Sequence, residues 1–149
     1  MTDPEEGDVS VVVAPVARFA DIGFNADVRL ETLVGIDALI AGFAPELIGA
    51  PLGDGDVVSQ EAVKRGDLTY YMYEIKCLAA VRSGLFCFSR AFSDAHVSSA
   101  SQPHLLVAAT AFKNRLFILT ARATPRQWRH PGAEEHVRAT ANSFVVSTA

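Results

Sequence analysis

The four histidines are the side chains of this chain best suited to metal binding or acid–base chemistry. They are His96, His104, His130 and His136, and they are scattered along the second half of the chain. His130 and His136 flank the start of a predicted helix at a poor angle for sharing one metal ion. The spacing therefore favours ordinary surface or partly buried histidines over a metal site.

Acidic residues in a glycine-rich loop at 49–55 form a second candidate site. Asp54 lies in this loop and Asp56 directly follows it, and Asp21 could join them to supply oxygen ligands to calcium. These carboxylates are fewer than the ligands of a dedicated calcium loop. Solvated loop carboxylates are therefore the favoured interpretation, and a calcium- or small-ligand-binding module is the alternative.

Nucleophilic catalysis has no matching motif in the sequence. There is no glycine-rich phosphate loop, nucleophile elbow or zinc spacing, and nothing places a base beside a serine or cysteine. Cys77 and Cys87 are too few for a disulfide scaffold. They either form one bridge or remain buried free thiols, and the second state is favoured. We expect a protein that is not an enzyme.

Charge is unevenly distributed along the 149 residues, whose net charge is −4. Through Asp67 there are 13 acidic and 4 basic residues, and from Leu68 onward there are 4 acidic and 9 basic ones. The two halves either form a polarised surface that orients docking on an acidic partner, or interleave so that their fields cancel. The lack of a basic cluster with interleaved aromatic residues argues against nucleic-acid binding.

The chain is long enough for one domain with a sizeable core, and half of its residues are hydrophobic. No apolar run reaches the roughly 18–20 residues of a membrane span. Residues 1–8 are acidic, which is the wrong sign for a signal or transit peptide. We expect either a soluble protein or a piece of a longer one.

The run from His104 to Trp128 predicts the elements that position these side chains. It contains two strands that are apolar on both faces, joined at Lys113-Asn114, where Asn tolerates the left-handed backbone of a two-residue hairpin. Strands of this kind need cover on both sides, so the hairpin belongs at the centre of a sheet. Pro125 ends the second strand.

Other segments predict the surrounding elements. Residues 9–16 read as a strand, and an apolar stripe from Leu30 to Phe43 predicts a helix that Pro45 bounds. Residues 57–64 and 68–77 predict a hairpin that turns at Arg65-Gly-Asp67, with one face of its second strand more buried than the other. The less buried face of its tyrosine strip is a candidate contact patch.

Residues 132–143 predict the last helix, with an outward pair between Glu134 and Arg138. The order strand, helix, two hairpins, helix predicts an α+β fold. It is an antiparallel β-sheet flanked by helices on both faces, an α/β/α sandwich.

Segments spread over nearly the whole chain resemble the PsbP family of extrinsic photosynthetic proteins, and they occur in the family's order. The segments are TDP at 2–4, VSVVVAPV at 9–16, FADIGF at 19–24, LTYYMYE at 68–74, HLL at 104–106, NRLF at 114–117, TARATPRQW at 120–128 and ANSFVV at 141–146. The resemblance implies the Mog1/PsbP-like fold, which agrees with the sandwich predicted from the strand and helix patterns.

The chain departs from the family pattern in three places. The family's first hairpin is absent, so we expect a single PsbP-like domain over 1–149 that is truncated at its start. Residues 79–103 are serine- and phenylalanine-rich, which indicates an atypical insertion. Some members pair the histidine that matches His104 with an aspartate at the position of Pro125 to hold a divalent metal. Pro125 has no side-chain ligand, so we do not extend that metal site to this chain.

The resemblance implies a non-catalytic accessory protein of photosynthesis in the chloroplast thylakoid lumen, peripheral to the membrane. Such a protein docks on lumenal subunits of photosystem II or photosystem I. It supports calcium and chloride retention at the oxygen-evolving complex, or photosystem assembly. Calcium is the cofactor that the resemblance suggests. Arg122, Arg126 and Arg129 are the candidate docking contacts, with solvated loop charges as the alternative.

Overall fold

The structure is a computed structural model that describes residues 2–3, 7–18, 28–48, 51–53, 55–76 and 104–148. Its strands are β1 Thr2–Asp3, β2 Gly7–Pro15, β3 Val57–Arg65, β4 Leu68–Lys76, β5 His104–Phe112 and β6 Arg115–Ala123. Its helices are α1 Leu30–Leu33, α2 Ile36–Ile48, α3 Pro125–Trp128 and α4 Ala133–Ser143, with a 3₁₀ turn at Val16–Arg18. The predictions for residues 79–103, Asp21, Asp54, Cys77, Cys87 and His96 lie outside the described residues.

The β5–β6 hairpin lies at the centre of the sheet, as its double-sided apolar pattern predicts. The strand order is β1-β2-β6-β5-β4-β3, and every neighbouring pair is antiparallel. Lys113 and Asn114 form the two-residue turn with φ of 48° and 61°. Two positive φ angles define the turn whose twist matches that of the flanking strands. The predicted central hairpin is therefore confirmed.

Helices cover both faces of the sheet, and the sheet separates the hydrophobic core into two layers. One face packs against α1 and α2 through residues such as Leu105, Val107 and Ile118. The other packs against α4 through residues such as Leu106, Leu119 and Val137. The α+β sandwich predicted from the sequence is confirmed.

The predicted first helix differs from the structure in two ways. It is broken between α1 and α2 at Val34 and Gly35, where the hydroxyls of Tyr71 and Tyr73 donate to backbone carbonyls at the junction. Pro45 lies inside α2, so the expectation that it bounds the helix is wrong. A proline in the last turn removes only one helical hydrogen bond, and Phe43 and Ala44 directly before it are buried in the core.

Strand β4 is buried on both faces, so the expectation of one more exposed face is wrong. Tyr71 and Tyr73 pack on the α2 side. Tyr70 and Met72 pack on the α4 side, where Tyr70 is fully buried. The reason is that α4 and the segment that follows it cover the second face. The candidate contact patch on this strand is therefore core.

Strand β2 carries the most exposed valines of the sheet. Among the described residues, β1 pairs only with Gly7 and Asp8 of β2, and the remainder of β2 pairs with β6 alone. Val11 is 53% exposed and Val13 is 51% exposed. Both valines belong to the face that α4 partly covers, because they lie directly across from Leu119 and Phe117.

Candidate functional site

The short helix α3 follows the central hairpin and is fixed by its own sequence. Thr124 precedes it, and the Thr124 hydroxyl accepts a hydrogen bond of 3.0 Å from the backbone N–H of Gln127. The Gln127 side chain accepts one of 2.8 Å from the Thr124 N–H in return. Pro125 occupies a position at the helix start where no backbone donor is needed. The residues TPRQ therefore specify a rigid turn.

Trp128 ties this turn to the sheet. Its ring stacks on the imidazole of His104, with ring centroids 4.1 Å apart and planes 19° apart. The guanidinium of Arg138 lies 5.3 Å from the centroid of the same tryptophan ring. Both contacts favour a defined orientation of the indole, since stacking and cation–π attraction are directional.

Glu74 lies beneath this arrangement and is 8% exposed. Its Oε2 accepts a hydrogen bond of 3.0 Å from Nη2 of Arg138, and its Oε1 lies 3.5 Å from Nδ1 of His104. Arg138 also donates from Nε to Glu134 over 2.9 Å, which confirms the predicted pair on α4. We call Glu74, His104, Trp128 and Arg138 the Glu74 cluster.

The surroundings of His104 favour its neutral form. Burial lowers the pKa of His104, and the charge of Lys76 lowers it further. Glu74 acts in the opposite direction without reversing the shift. The imidazole faces Trp128 and Glu74, and Glu74 is already paired with Arg138. The cluster is therefore suited to holding α3 in place.

A divalent metal does not fit these residues. Pro125 is the first residue of α3 and offers no side-chain ligand, while the His104 ring is stacked on Trp128. No group of three or more histidine, cysteine, aspartate or glutamate side chains converges within the described part of the chain. We therefore derive no metal chemistry from this site.

Asp56 stabilises the turn before β3 through hydrogen bonds to the backbone. It is fully buried, and its carboxylate accepts a hydrogen bond of 2.8 Å from the N–H of Gly53. Its carbonyl accepts another from the N–H of Lys76 at the end of β4. The expectation of a solvated carboxylate is wrong for Asp56, because this side chain closes its own turn.

The three arginines predicted for docking do not share one environment. Arg126 and Arg129 are both exposed on or next to α3, and the Nε of Arg129 donates to the carbonyl of Pro125 over 3.1 Å. Arg122 is half-buried in β6, where it lies directly across from Asp8 and Leu105. The strand alternation places Arg122 on the α2 side of the sheet, whereas α3 packs against α4 on the other side. Their docking role remains a prediction.

His130 and His136 are exposed, in line with ordinary surface histidines. A small cleft of about 120 Å³ lies between β3, β4 and α4 and is lined in part by Glu61, Glu74, Arg138 and Asn142. Small-molecule sites usually have several hundred cubic ångströms. This cleft is therefore smaller than a usual small-ligand site.

No model of a protein family matches the chain. The chain is 31% identical over 126 residues to "PsbP domain-containing protein 4, chloroplastic" of Arabidopsis thaliana, an alignment that covers 85% of this chain.

The chain resembles the PsbP-like family over most of its length.

The PsbP-like chain spans 38% of the length of that relative. The name of that relative describes a chloroplast protein. Among the described residues of this chain, no helix has the length and apolarity needed to cross a membrane.

The Glu74 cluster is the part of this PsbP-like site that the sequence interpretation missed. Alternation along the strand predicts that Glu74 lies on the less buried face of β4, and the helical spacing pairs Arg138 with Glu134 alone. One signal was available, because the sole tryptophan of the chain follows a capping sequence directly after a buried strand. A large side chain at that point must fold back onto the sheet.

Proposed function

We propose that the chain is a non-catalytic accessory protein of photosynthesis that docks on the lumenal face of a photosystem. The site for docking is the α3 turn with Arg126 and Arg129. Two findings support the proposal. One is the similarity to a PsbP domain-containing protein, and the other is the exposure of both arginines on a turn that the Glu74 cluster braces. The braced pair of exposed arginines is the observation that carries the proposal.

A braced turn suits electrostatic docking for a physical reason. Binding loses less conformational entropy when the contacting side chains extend from a backbone that is already ordered. The capping box and the Trp128 contacts order this backbone before any partner arrives. Exposed cations also steer the approach of an acidic surface, and salt screens that attraction.

Docking in the thylakoid lumen would have one of two consequences. The protein supports retention of calcium and chloride at the oxygen-evolving complex of photosystem II, or it assists photosystem assembly. The described residues of this chain form no cluster of metal ligands. We therefore propose that any effect on calcium retention acts through the partner.

A membrane-binding assay tests the proposal. Purified protein is incubated with isolated thylakoid membranes at increasing salt, and the bound complexes are then solubilised and captured. We expect saturable binding that weakens with salt, with a photosystem in the captured material. Arg126→Glu should weaken binding by roughly tenfold, because each exposed ion pair contributes up to about 1 kcal/mol and reversal adds repulsion.

Lys64→Glu is the matched control. Lys64 is also exposed, and it lies in β3 at the far edge of the sheet from α3. The two variants change the net charge equally. An equal loss of binding in both would show a general charge effect and refute docking through α3. Binding that is absent in the unaltered protein, or that resists high salt, would refute electrostatic docking altogether.

A further inference from the structure

An open groove lies at the end of the molecule where the central hairpin turns. It runs between the tip of the β5–β6 hairpin and the segment that follows α4, and its volume is about 590 Å³. This volume falls within the range of binding sites in proteins. We call it the hairpin-tip groove. It is lined mainly by Phe112, Lys113, Arg115, Phe117, Phe144 and Val145.

The wall formed by the segment after α4 is held firmly. The carbonyl of Phe144 accepts a hydrogen bond of 2.9 Å from Arg65, and the N–H of Val146 donates one of 2.8 Å to the hydroxyl of Tyr70. The rings of Tyr70 and Phe144 also meet edge to face, with centroids 6.1 Å apart. The groove is therefore built into the fold and does not depend on a loosely attached end of the chain.

The groove has an apolar floor that continues onto the neighbouring strand. Phe112 and Phe117 are half-buried, and Val145 on the opposite wall is 65% exposed. Phe117 lies directly across from the exposed Val13 of β2. A contiguous apolar surface of this kind marks a binding site more often than an ordinary surface does.

The charge at the groove has the opposite sign to that of the chain. Lys113 and Arg115 are exposed, and neither forms an ion pair with another described residue. None of the described residues that line the groove has a carboxylate, although the net charge of the chain is −4. Lys113 extends over the ring of Phe112, with Nζ 5.1 Å from its centroid, so charge and apolar surface are adjacent.

We infer that the hairpin-tip groove binds an extended segment of a partner protein in which apolar side chains alternate with Asp or Glu. The phenylalanine rings and Val145 would receive the apolar side chains, and Lys113 and Arg115 would pair with the flanking carboxylates. Two cations match a short acidic segment, whereas recognition of an anionic membrane surface commonly uses four or more. This site is separate from the α3 turn, because the hairpin tip and α3 lie at opposite ends of β6.

A direct binding assay tests the inference on the full chain. The probe is a fluorescent synthetic peptide in which Leu and Phe alternate with Glu, and its control has Lys in place of Glu. We expect the acidic peptide to bind saturably and the basic one not to bind. The double variant Lys113→Glu/Arg115→Glu should weaken binding at least tenfold, since it replaces two attractions by repulsions.

A second variant tests the apolar part of the groove. Val145→Ser removes apolar surface from an exposed position and leaves the core untouched. We expect it to weaken binding about threefold to tenfold, with an unchanged melting temperature. Lys64→Glu and Arg126→Glu are the charge controls, and both should bind the peptide as the unaltered protein does.

Several results would overturn the inference. Absent or non-saturable peptide binding would do so, as would binding that the double reversal leaves unchanged. Binding to phosphatidylglycerol vesicles without binding to the peptide would assign the groove to lipid. Dimers that the double reversal dissociates would assign it to a second copy of the chain. Because the peptide assay contains no photosystem, its outcome is independent of docking through α3.

Discussion

Replacing Arg138 by methionine should destabilise the fold, because it removes the cation that pairs with the buried carboxylate of Glu74. Glu74 is 8% exposed and accepts a hydrogen bond of 3.0 Å from Arg138. Loss of one member of a buried ion pair costs about 3–5 kcal/mol. The Arg138 side chain is 40% exposed, so water screens the pair and the cost falls to about 2 kcal/mol. The lost contact with Trp128 adds about 0.5–1 kcal/mol.

Urea and thermal unfolding measure this effect. A loss of about 2–3 kcal/mol should lower the melting temperature by roughly 5–10 °C in a chain of this size. Glu134→Gln is the control, because it removes the other partner of Arg138 from a surface where the glutamate side chain is 53% exposed. We expect this control to cost less than about 0.5 kcal/mol.

A double-mutant cycle with Glu74→Gln assigns the loss to the buried pair. The combined variant should be more stable than the sum of the single losses predicts, with a coupling energy of about 1–2 kcal/mol. If Arg138→Met and Glu134→Gln cost the same, or if the coupling with Glu74 is near zero, Arg138 does not act as the counter-ion of a buried carboxylate. The role given to the Glu74 cluster would then be wrong.

Two further predictions concern stability. Burial lowers the pKa of His104 in the folded protein, so the unfolded chain binds the proton more readily. The stabilisation that neutral His104 contributes is complete above about pH 6.5 and declines as the pH falls below this value. We therefore expect His104→Gln to make the free energy of unfolding less dependent on pH in this range, as measured by urea unfolding at several pH values. Gly7→Ala should cost more than about 2 kcal/mol, because the new methyl would overlap the carbonyl of Arg122 at a φ of +119°. Gly35→Ala meets open space and should be neutral or stabilising in the same thermal scans, and an equal loss in both variants would contradict the steric argument.

The sequence predicts most of the fold because the period of its apolar residues is clear. Strands β5 and β6 carry mostly apolar residues on both faces along their nine residues each, so their central place follows from burial. The break between α1 and α2 could not be predicted in this way. It depends on hydroxyls of Tyr71 and Tyr73, which lie 37 residues further along the chain than the carbonyls that they contact.

The candidate site was predictable only in part. Arg126 and Arg129 follow a strand end and a proline, so their exposure could be expected. The pairing of Glu74 with Arg138 spans 64 residues and depends on how α4 crosses the sheet. Alternation along β4 cannot show which helix covers each face. The same limit explains the false contact patch on the tyrosine strand.

The pairing of β2 with β6 has a consequence for the order of events during synthesis. Ser10 contacts Thr120, which lies 110 residues further along the chain, so β2 leaves the ribosome long before its partner exists. At a synthesis rate of roughly 5–20 residues per second, about 5 to 20 seconds pass between the synthesis of β2 and that of β6. Throughout that interval a β-branched apolar segment is accessible to chaperones and to other nascent chains. Translation speed and chaperone supply should therefore govern how much of this protein reaches its native state.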